Sequence, residues 1–119
     1  MATTSFISRF DTVAKYSEMV ICNTRGTGTI YLAGQVAEHS VDMDMYQQTS
    51  EILGLIDKLL ERGRSSKNSI LSATIYIVGF DDFAEMNKAW TEWMPIGCAP
   101  ARATVSVAAV CMRLSFVAS

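Results

Sequence analysis

The sequence is poor in the residues that mark several specialised classes of protein. Its 119 residues include three cysteines, two prolines and one histidine, and only 18% of them are charged. Cys22, Cys98 and Cys111 are odd in number, widely spaced and without a CxxC pair, which argues against a disulfide framework and a zinc site. We therefore expect no metal and a reducing compartment, the cytoplasm, with the mitochondrial matrix as the alternative.

A long apolar segment and a surplus of positive charge are also missing. No run of 18 or more apolar residues occurs, so the sequence predicts no membrane-spanning segment. The net charge of −2 argues against a dedicated nucleic-acid-binding protein, although a basic groove between subunits stays open. Residues 1–10 lack acids but have one arginine and no apolar core, so we interpret them as a first strand rather than a targeting signal.

What the sequence does contain is a large apolar fraction. Half of the residues are apolar, and the chain shows no repeat, linker or low-complexity tract. The length suits a single domain, residues 1–119. Because so few charged residues are available to cover the surface, we expect other subunits to cover part of it.

Two apolar runs near the N-terminus predict a β-hairpin. Residues 17–23 and 28–38 have the composition of strands. The stretch between them, 24–28, is glycine-rich and typical of a turn.

The middle of the chain alternates between helical and strand patterns. Residues 42–63 have apolar side chains at helical spacing. Residues 69–80 read as a strand with four apolar side chains on one face: Leu71, Ala73, Ile75 and Ile77. Residues 81–94 form a second amphipathic pattern, which Pro95 ends. This order predicts an α+β fold with two helices packed on one face of a mixed sheet.

The end of the chain has strand character without a turn. Residues 104–118 contain no Gly, Pro, Asn or Asp, and a single strand of that length would span roughly 50 Å, too long for such a domain. Two strands joined by a hairpin between Ala108 and Met112 fit better. Because no turn residues are present there, we hypothesise that a few loop residues are missing from this segment.

One arginine stands at the start of this apolar tail. In IGCAPARATVSVAAV (96–110), Arg102 closely follows Pro100, so the chain enters the strand stiffly. A guanidinium held in this way is suited to a bidentate interaction with a carboxylate. The alternative is an arginine at a sheet edge, paired with an acidic residue of a neighbour.

Three segments resemble the reactive-intermediate deaminase (RidA, or YjgF) family: TIYLAGQVAE, ILSATIYIVGFDDFAEMNKAWTEWM and GCAPARATVSV. The likeness runs from about Tyr16 to Val107. It implies a chorismate-mutase-like fold assembled as a homotrimer, with an inner barrel and a cleft at each subunit interface. It also implies hydrolysis of 2-imino acids or enamines, as small carboxylate-bearing metabolites, to a 2-keto acid and ammonia, without a metal or an organic cofactor.

The resemblance assigns roles to residues of two of these segments and to Tyr16, which precedes them. Arg102 would bind the substrate carboxylate, and Tyr16 would cap the cleft with its hydroxyl near the ligand. Asn87 would either fix the loop that carries the arginine or contact the substrate. Backbone groups near Cys98, Ala101 and Thr104 would hold the attacking water or the imine nitrogen.

The sequence also departs from the family pattern. Ala33 stands where members carry a cleft serine, and Thr104 stands where many carry cysteine. The glutamate that catalytic members carry in the last strand has no equivalent in Val110-Cys111-Met112. A non-catalytic protein that binds small carboxylates is therefore the first alternative to a deaminase.

The second alternative is an RNA-cleaving translation inhibitor, a label that some family members carry. The acidic net charge argues against it, as does the lack of a histidine beside a basic groove. The sole histidine, His39, is interpreted as a loop residue in solvent. We expect Trp90 and Trp93 to be core or interface residues.

Overall fold

The computed structural model describes residues 5–24, 26–108 and 113–118. Its elements follow in the order β1 (Ser5–Phe10), β2 (Met19–Thr24), β3 (Thr27–Val36), α1 (Met45–Arg62), β4 (Ile70–Val78), α2 (Phe83–Trp93), β5 (Ala101–Val107) and β6 (Arg113–Ala118). The six strands form one mixed sheet in the order β1-β2-β3-β6-β4-β5. Buried residues of both helices share one core with residues of the sheet, which confirms the predicted α+β class.

The predicted hairpin is present. Strands β2 and β3 are antiparallel, with Met19 opposite Leu32 and Thr24 opposite Thr27. Gly26 has φ of 79° in the turn, a backbone region that glycine adopts without strain. A Cβ atom at residue 28 would lie 2.6 Å from the side-chain oxygen of Asn23, so a larger residue there would displace the Asn23 side chain.

Helix α1 begins and ends on recognisable capping groups. The Asp44 side chain accepts a hydrogen bond from the backbone N–H of Gln47 at 2.8 Å. The N–H of Gly63 donates to the carbonyl of Leu59 at 3.0 Å. The helix buries one face against the sheet: Thr49, Ile52, Leu53, Ile56, Leu59 and Leu60. Within the three described ranges, neither helix is long and apolar enough to cross a membrane.

A β-bulge in β3 changes which of its side chains are buried. Leu32 pairs with Phe116 and Gln35 pairs with Leu114, so β3 has one residue more than β6 over this interval. The buried position therefore moves from Leu32 to Gln35 instead of Gly34. The bulge places a polar side chain on the helix-facing side of the sheet.

A register shift in β4 corrects one sequence prediction. Ile70 pairs with Ala118 and Ser72 with Val117, which leaves Leu71 without a partner in β6. Leu71 is exposed, so the prediction that it shares a face with the buried Ala73, Ile75 and Ile77 was wrong. The physical reason is the extra residue, which reverses the alternation at that point.

The tail forms two strands, as predicted, but they do not form a hairpin. Strand β5 pairs in parallel with β4, whereas β6 is antiparallel and lies between β3 and β4. In this central position β6 has a hydrogen-bonded partner on both sides, whereas an edge strand has one. It buries Phe116 and Ala118. The predicted turn and the hypothesised missing loop fall on residues 109–112, outside the described residues.

Candidate functional site

A cleft of about 740 Å³ lies between α1 and the loop that follows β1. We call it the α1 cleft. Its lining includes Tyr16, Glu18, Ala33 and Gln35 from the sheet side, and Glu51, Leu55, Lys58, Leu59 and Arg62 from α1. Hydrogen bonds fix the loop on the sheet side, since the N–H of Val13 donates to the Tyr16 carbonyl and that of Glu18 to the Phe10 carbonyl. The cleft therefore combines a fixed polar wall with one face of a helix.

The polar wall is built on the β3 bulge. The Gln35 side chain is only 9% exposed. Its Nε2 donates to Glu18 Oε2 at 2.8 Å and to the Ala33 carbonyl at 3.1 Å. The N–H of Ala33 donates in turn to the Glu18 carbonyl at 2.9 Å. These bonds hold one carboxylate oxygen of Glu18 in a defined position in the cleft.

Two other carboxylates at the cleft are bound by groups of the same chain. Glu51 accepts from Ser40 Oγ at 2.6 Å and from the N–H of His39 at 3.1 Å. The Ser40 hydroxyl is the main cause that lowers the pKa of Glu51. Asp11 accepts from Arg62 at 2.5 and 3.3 Å, and this pairing lowers the pKa of Asp11.

Arg102 lies in a different part of the sheet, which we call the β5 edge (Ala101–Val107). It pairs with Ala73 of β4, on the helix-facing side, and its guanidinium carbon lies 5.1 Å from the centre of the Trp90 ring. Partial burial lowers the pKa of Arg102. Among the described residues no carboxylate lies within ion-pair distance of it. The alternative prediction, an Arg102 side chain paired with an acidic residue, is therefore not observed among the described residues.

The other predicted residues lie in β5, just before it, or on α2. Thr104 has a buried hydroxyl with no hydrogen-bond partner in the described chain. Cys98 is half-buried against the core, three residues before β5, and Ala101 is exposed at the first position of the strand. Asn87 is half-buried on α2. The β5 edge therefore offers a guanidinium and a hydroxyl that have no polar partner among the described residues.

The structure does not bring all predicted site residues together. Tyr16 and Ala33 line the α1 cleft, whereas Arg102 and Thr104 lie at the β5 edge. Strands β6 and β4 lie between β3 and β5, which makes three strand spacings or about 14 Å. The two groups of predicted residues therefore lie in separate parts of the described chain.

Sequence reasoning missed most of the α1 cleft. Glu18 and Gln35 lie in predicted strands, and no sequence motif marked either of them as a site residue. Lys58 and Arg62 occur at helical spacing with Glu51 and Leu55, and this spacing was the available signal for one polar helix face. By itself this spacing predicts only an amphipathic helix.

The aromatic residues and the histidine were predicted with more success. Trp90 is buried and stacks on Phe116 with ring centres 6.0 Å apart, and Trp93 lies beside both. This confirms their position in or against the core. His39 is an exposed loop residue at the rim of the α1 cleft, and its backbone rather than its ring contacts Glu51.

Comparison with known proteins identifies relatives over nearly the whole chain. The family model described as endoribonuclease L-PSP matches residues 6–116. A RutC family protein from Haemophilus influenzae is 43% identical over 99 residues, covering 83% of this chain and 82% of the relative. The RutC family protein YoaB from Escherichia coli K12 has the same identity and coverage.

Solved structures show the same architecture. An uncharacterised protein from Pseudomonas aeruginosa superimposes with a TM-score of 0.86 at 33% identity, covering 96% of this chain and 98% of that one. A member of the YjgF protein family from Neisseria meningitidis has a TM-score of 0.83 at 32% identity, with coverages of 95% and 93%.

Proposed function

Because the chain belongs to the endoribonuclease L-PSP family, which is also known by its YjgF and RidA members, we propose that it is a 2-imino acid deaminase. It hydrolyses the C=N bond of reactive imines and their enamine tautomers to a 2-keto acid and ammonia. The observation that carries the proposal is the β5 edge. There Arg102 stacks on Trp90 without a carboxylate partner among the described residues, next to the unpartnered hydroxyl of Thr104.

The chemistry needs few groups from the protein. Arg102 binds the substrate carboxylate with two parallel hydrogen bonds and so fixes the position of the neighbouring C2 atom. A water oxygen forms a bond to C2 while the C=N π bond breaks, which gives a carbinolamine. Protonation of its nitrogen and loss of the hydroxyl proton release ammonia and leave the keto acid. The overall balance is imine plus water to ketone plus ammonia, with no change in oxidation state.

The proposal includes a homotrimer in which the α1 cleft of one copy faces the β5 edge of the next. Its support is the face of the sheet that carries no helix. Tyr31, Val78 and Val105 are 50%, 48% and 40% exposed there. Tyr31 and Val78 follow buried residues of the helix side, and Val105 pairs with Tyr76 on the helix-free face. Exposed apolar side chains grouped on one sheet face favour contact with another subunit. Each interface would then unite Arg102 with Tyr16 and Ala33 of the neighbouring copy.

A binding protein without catalysis is the second candidate. The observation that favours it is the sequence of β6, RLSFVA, which offers no carboxylate to activate water. An RNA-cleaving activity has weaker support, because acidic side chains in the α1 cleft would repel phosphate groups.

Cys22 and Cys98 are free thiols, which supports a reducing compartment such as the cytoplasm.

The experiment that tests the deaminase proposal is the hydrolysis of enzymatically generated 2-iminopropanoate. The protein is expected to accelerate the reaction, and Arg102→Ala is expected to lower kcat/KM by roughly a thousandfold, because a bidentate charge pair is lost. The matched control is Arg64→Asn, which removes an exposed guanidinium at a residue with φ of 60°, a conformation that asparagine tolerates. A wild-type rate equal to the uncatalysed rate would overturn the proposal and leave carboxylate binding.

A further inference from the structure

The proposed hydrolysis requires a base that accepts a proton from the attacking water, and the C-terminal part of the chain has none. No Asp or Glu follows Glu92 in the sequence, so neither β5 nor β6 carries a carboxylate. The β5 edge provides Arg102 and Thr104, which cannot act as a carboxylate base. In the proposed assembly the α1 cleft of the neighbouring copy faces this edge, so its carboxylates are the candidates for the base.

The α1 cleft contains four carboxylates, and their hydrogen bonds distinguish them. Both oxygens of Asp11 are bound by Arg62. Both oxygens of Glu51 accept hydrogen bonds from the loop that follows β3. Glu38 is exposed at the rim and has no described partner that would fix its position. None of these three combines a free oxygen with a fixed position.

Glu18 has both properties. Its Oε2 accepts a hydrogen bond from the buried Gln35 amide at 2.8 Å, and its Oε1 has no hydrogen bond within the described chain. The side chain is half-buried, two residues after Tyr16 and bonded through its backbone to Ala33. A carboxylate held by one oxygen and open at the other has the geometry of a general base.

We propose that Glu18 is the general base of the deaminase, positioned by Gln35; this inference rests on the function proposed above. The imine reacts as the iminium ion, protonated on nitrogen by solvent. The free oxygen of Glu18 takes one proton from water as the water oxygen bonds to C2 and the C=N π electrons move to nitrogen, which gives the neutral carbinolamine. The same carboxylic acid then gives its proton to the amino group of the carbinolamine. The hydroxyl proton passes to solvent as the C–N bond breaks and ammonia leaves.

The test compares Glu18→Gln and Glu18→Asp with the wild-type protein in the 2-iminopropanoate assay. Glu18→Gln keeps the size and the hydrogen-bonding capacity toward Gln35 but cannot accept the proton. It is expected to lower kcat by at least about a hundredfold while KM stays within about threefold. Glu18→Asp is expected to recover part of kcat, because it restores the carboxylate at a longer distance.

Two controls separate catalysis from folding and charge. Glu61→Gln makes the same chemical change at an exposed position of α1 that does not line the cleft, and it is expected to leave kcat unchanged. The thermal unfolding midpoints of all variants are measured alongside, so that a loss of rate in an unfolded protein is recognised. Recovery of kcat in Glu18→Asp is a result that a structural role for the side chain would not produce.

The possible results are distinct. An active wild-type protein with an inactive Glu18→Gln variant supports the inference. An active wild-type protein with a folded, fully active Glu18→Gln variant overturns it and leaves the deaminase proposal intact. If Glu18→Gln does not fold, Glu18→Asp decides the question. A folded Glu18→Asp protein with a kcat below the wild-type value supports the inference, and one with the wild-type kcat overturns it. A wild-type protein without activity overturns the deaminase proposal and this inference together.

Discussion

In the α1 cleft, Glu18, Gln35 and Glu51 form hydrogen bonds with other groups of the same chain, whereas at the β5 edge Arg102 and Thr104 have no described polar partner. A buried polar group without a partner typically costs about 1–3 kcal/mol. The polar groups of the cleft are therefore satisfied within one chain, whereas those of the edge have no polar partner among the described residues. This difference supports the proposal of a site divided between two copies.

The largest effect is expected from separating the copies. Tyr31→Asp places a charge on the helix-free face of the sheet, where burial in an interface would leave it unpaired. We expect the trimer to dissociate and hydrolysis to fall by roughly a hundredfold or more, although the α1 cleft and the β5 edge are both unaltered. Sedimentation velocity and the imine assay measure the two outcomes together.

The matched control is Val41→Asp, which introduces the same charge at an exposed apolar residue in the loop before α1. It is expected to leave the assembly unchanged. A Tyr31→Asp protein that is monomeric and fully active would show that one chain holds the complete site.

A smaller effect is expected from two buried threonines. Thr49 donates its hydroxyl to the Met45 carbonyl at 2.7 Å, whereas the Thr104 hydroxyl has no described partner. Thr49→Val should lower the free energy of unfolding by about 1 kcal/mol, and Thr104→Val should leave it unchanged or raise it by up to about 1 kcal/mol. Urea unfolding at one fixed protein concentration, without ligand, measures both changes.

The opposite order of stability would contradict this comparison. If Thr104→Val destabilised the protein as much as Thr49→Val, the Thr104 hydroxyl would already be bound in the free protein. In the imine assay Thr104→Val should raise KM, because the hydroxyl then cannot bind the ligand.

The smallest effect concerns the ion pair at the edge of the α1 cleft. Arg62 lowers the pKa of Asp11, so this pair stabilises the fold above the ordinary pKa of 3.8 and ceases to do so as the pH falls through the lower folded value. Asp11→Asn should therefore reduce the urea midpoint slightly at pH 7, and the difference from wild type should vanish at strongly acidic pH. The effect is small because the two side chains are 52% and 46% exposed.

Asp42→Asn removes the same charge from an exposed loop and is the control for this measurement. A difference between Asp11→Asn and wild type that stayed constant at all pH values would show that the ion pair is not its cause.

Much of the fold follows from local patterns in the sequence, because helix caps and alternating strands are local features. Asp44 and Gly63 delimit α1 within three residues of the predicted ends, and the hairpin turn contains the expected glycine. The bulges at Leu71 and before Gln35 were missed, since one inserted residue reverses the alternation without changing composition.

The position of β6 and the make-up of the α1 cleft depend on contacts between distant parts of the chain. No local signal shows that residues 113–118 enter the sheet between β3 and β4 rather than beside β5. Glu18 and Lys58 are 40 residues apart in sequence and meet only because α1 packs on the sheet. Arg102 was identified as a candidate because its proline-led approach to a strand is a local pattern.

The central claim, that each site takes Arg102 from one copy and the α1 cleft from the next, is tested most directly by mixing two inactive variants. Arg102→Ala and Glu18→Gln are unfolded together and refolded at equal amounts. The mixing is repeated with Ala33→Trp, whose side chain fills the α1 cleft, in place of Glu18→Gln. Random assembly into trimers gives about a quarter of the interfaces both wild-type halves, so about a quarter of the wild-type activity should return. Mixed trimers without any recovered activity would contradict the claim.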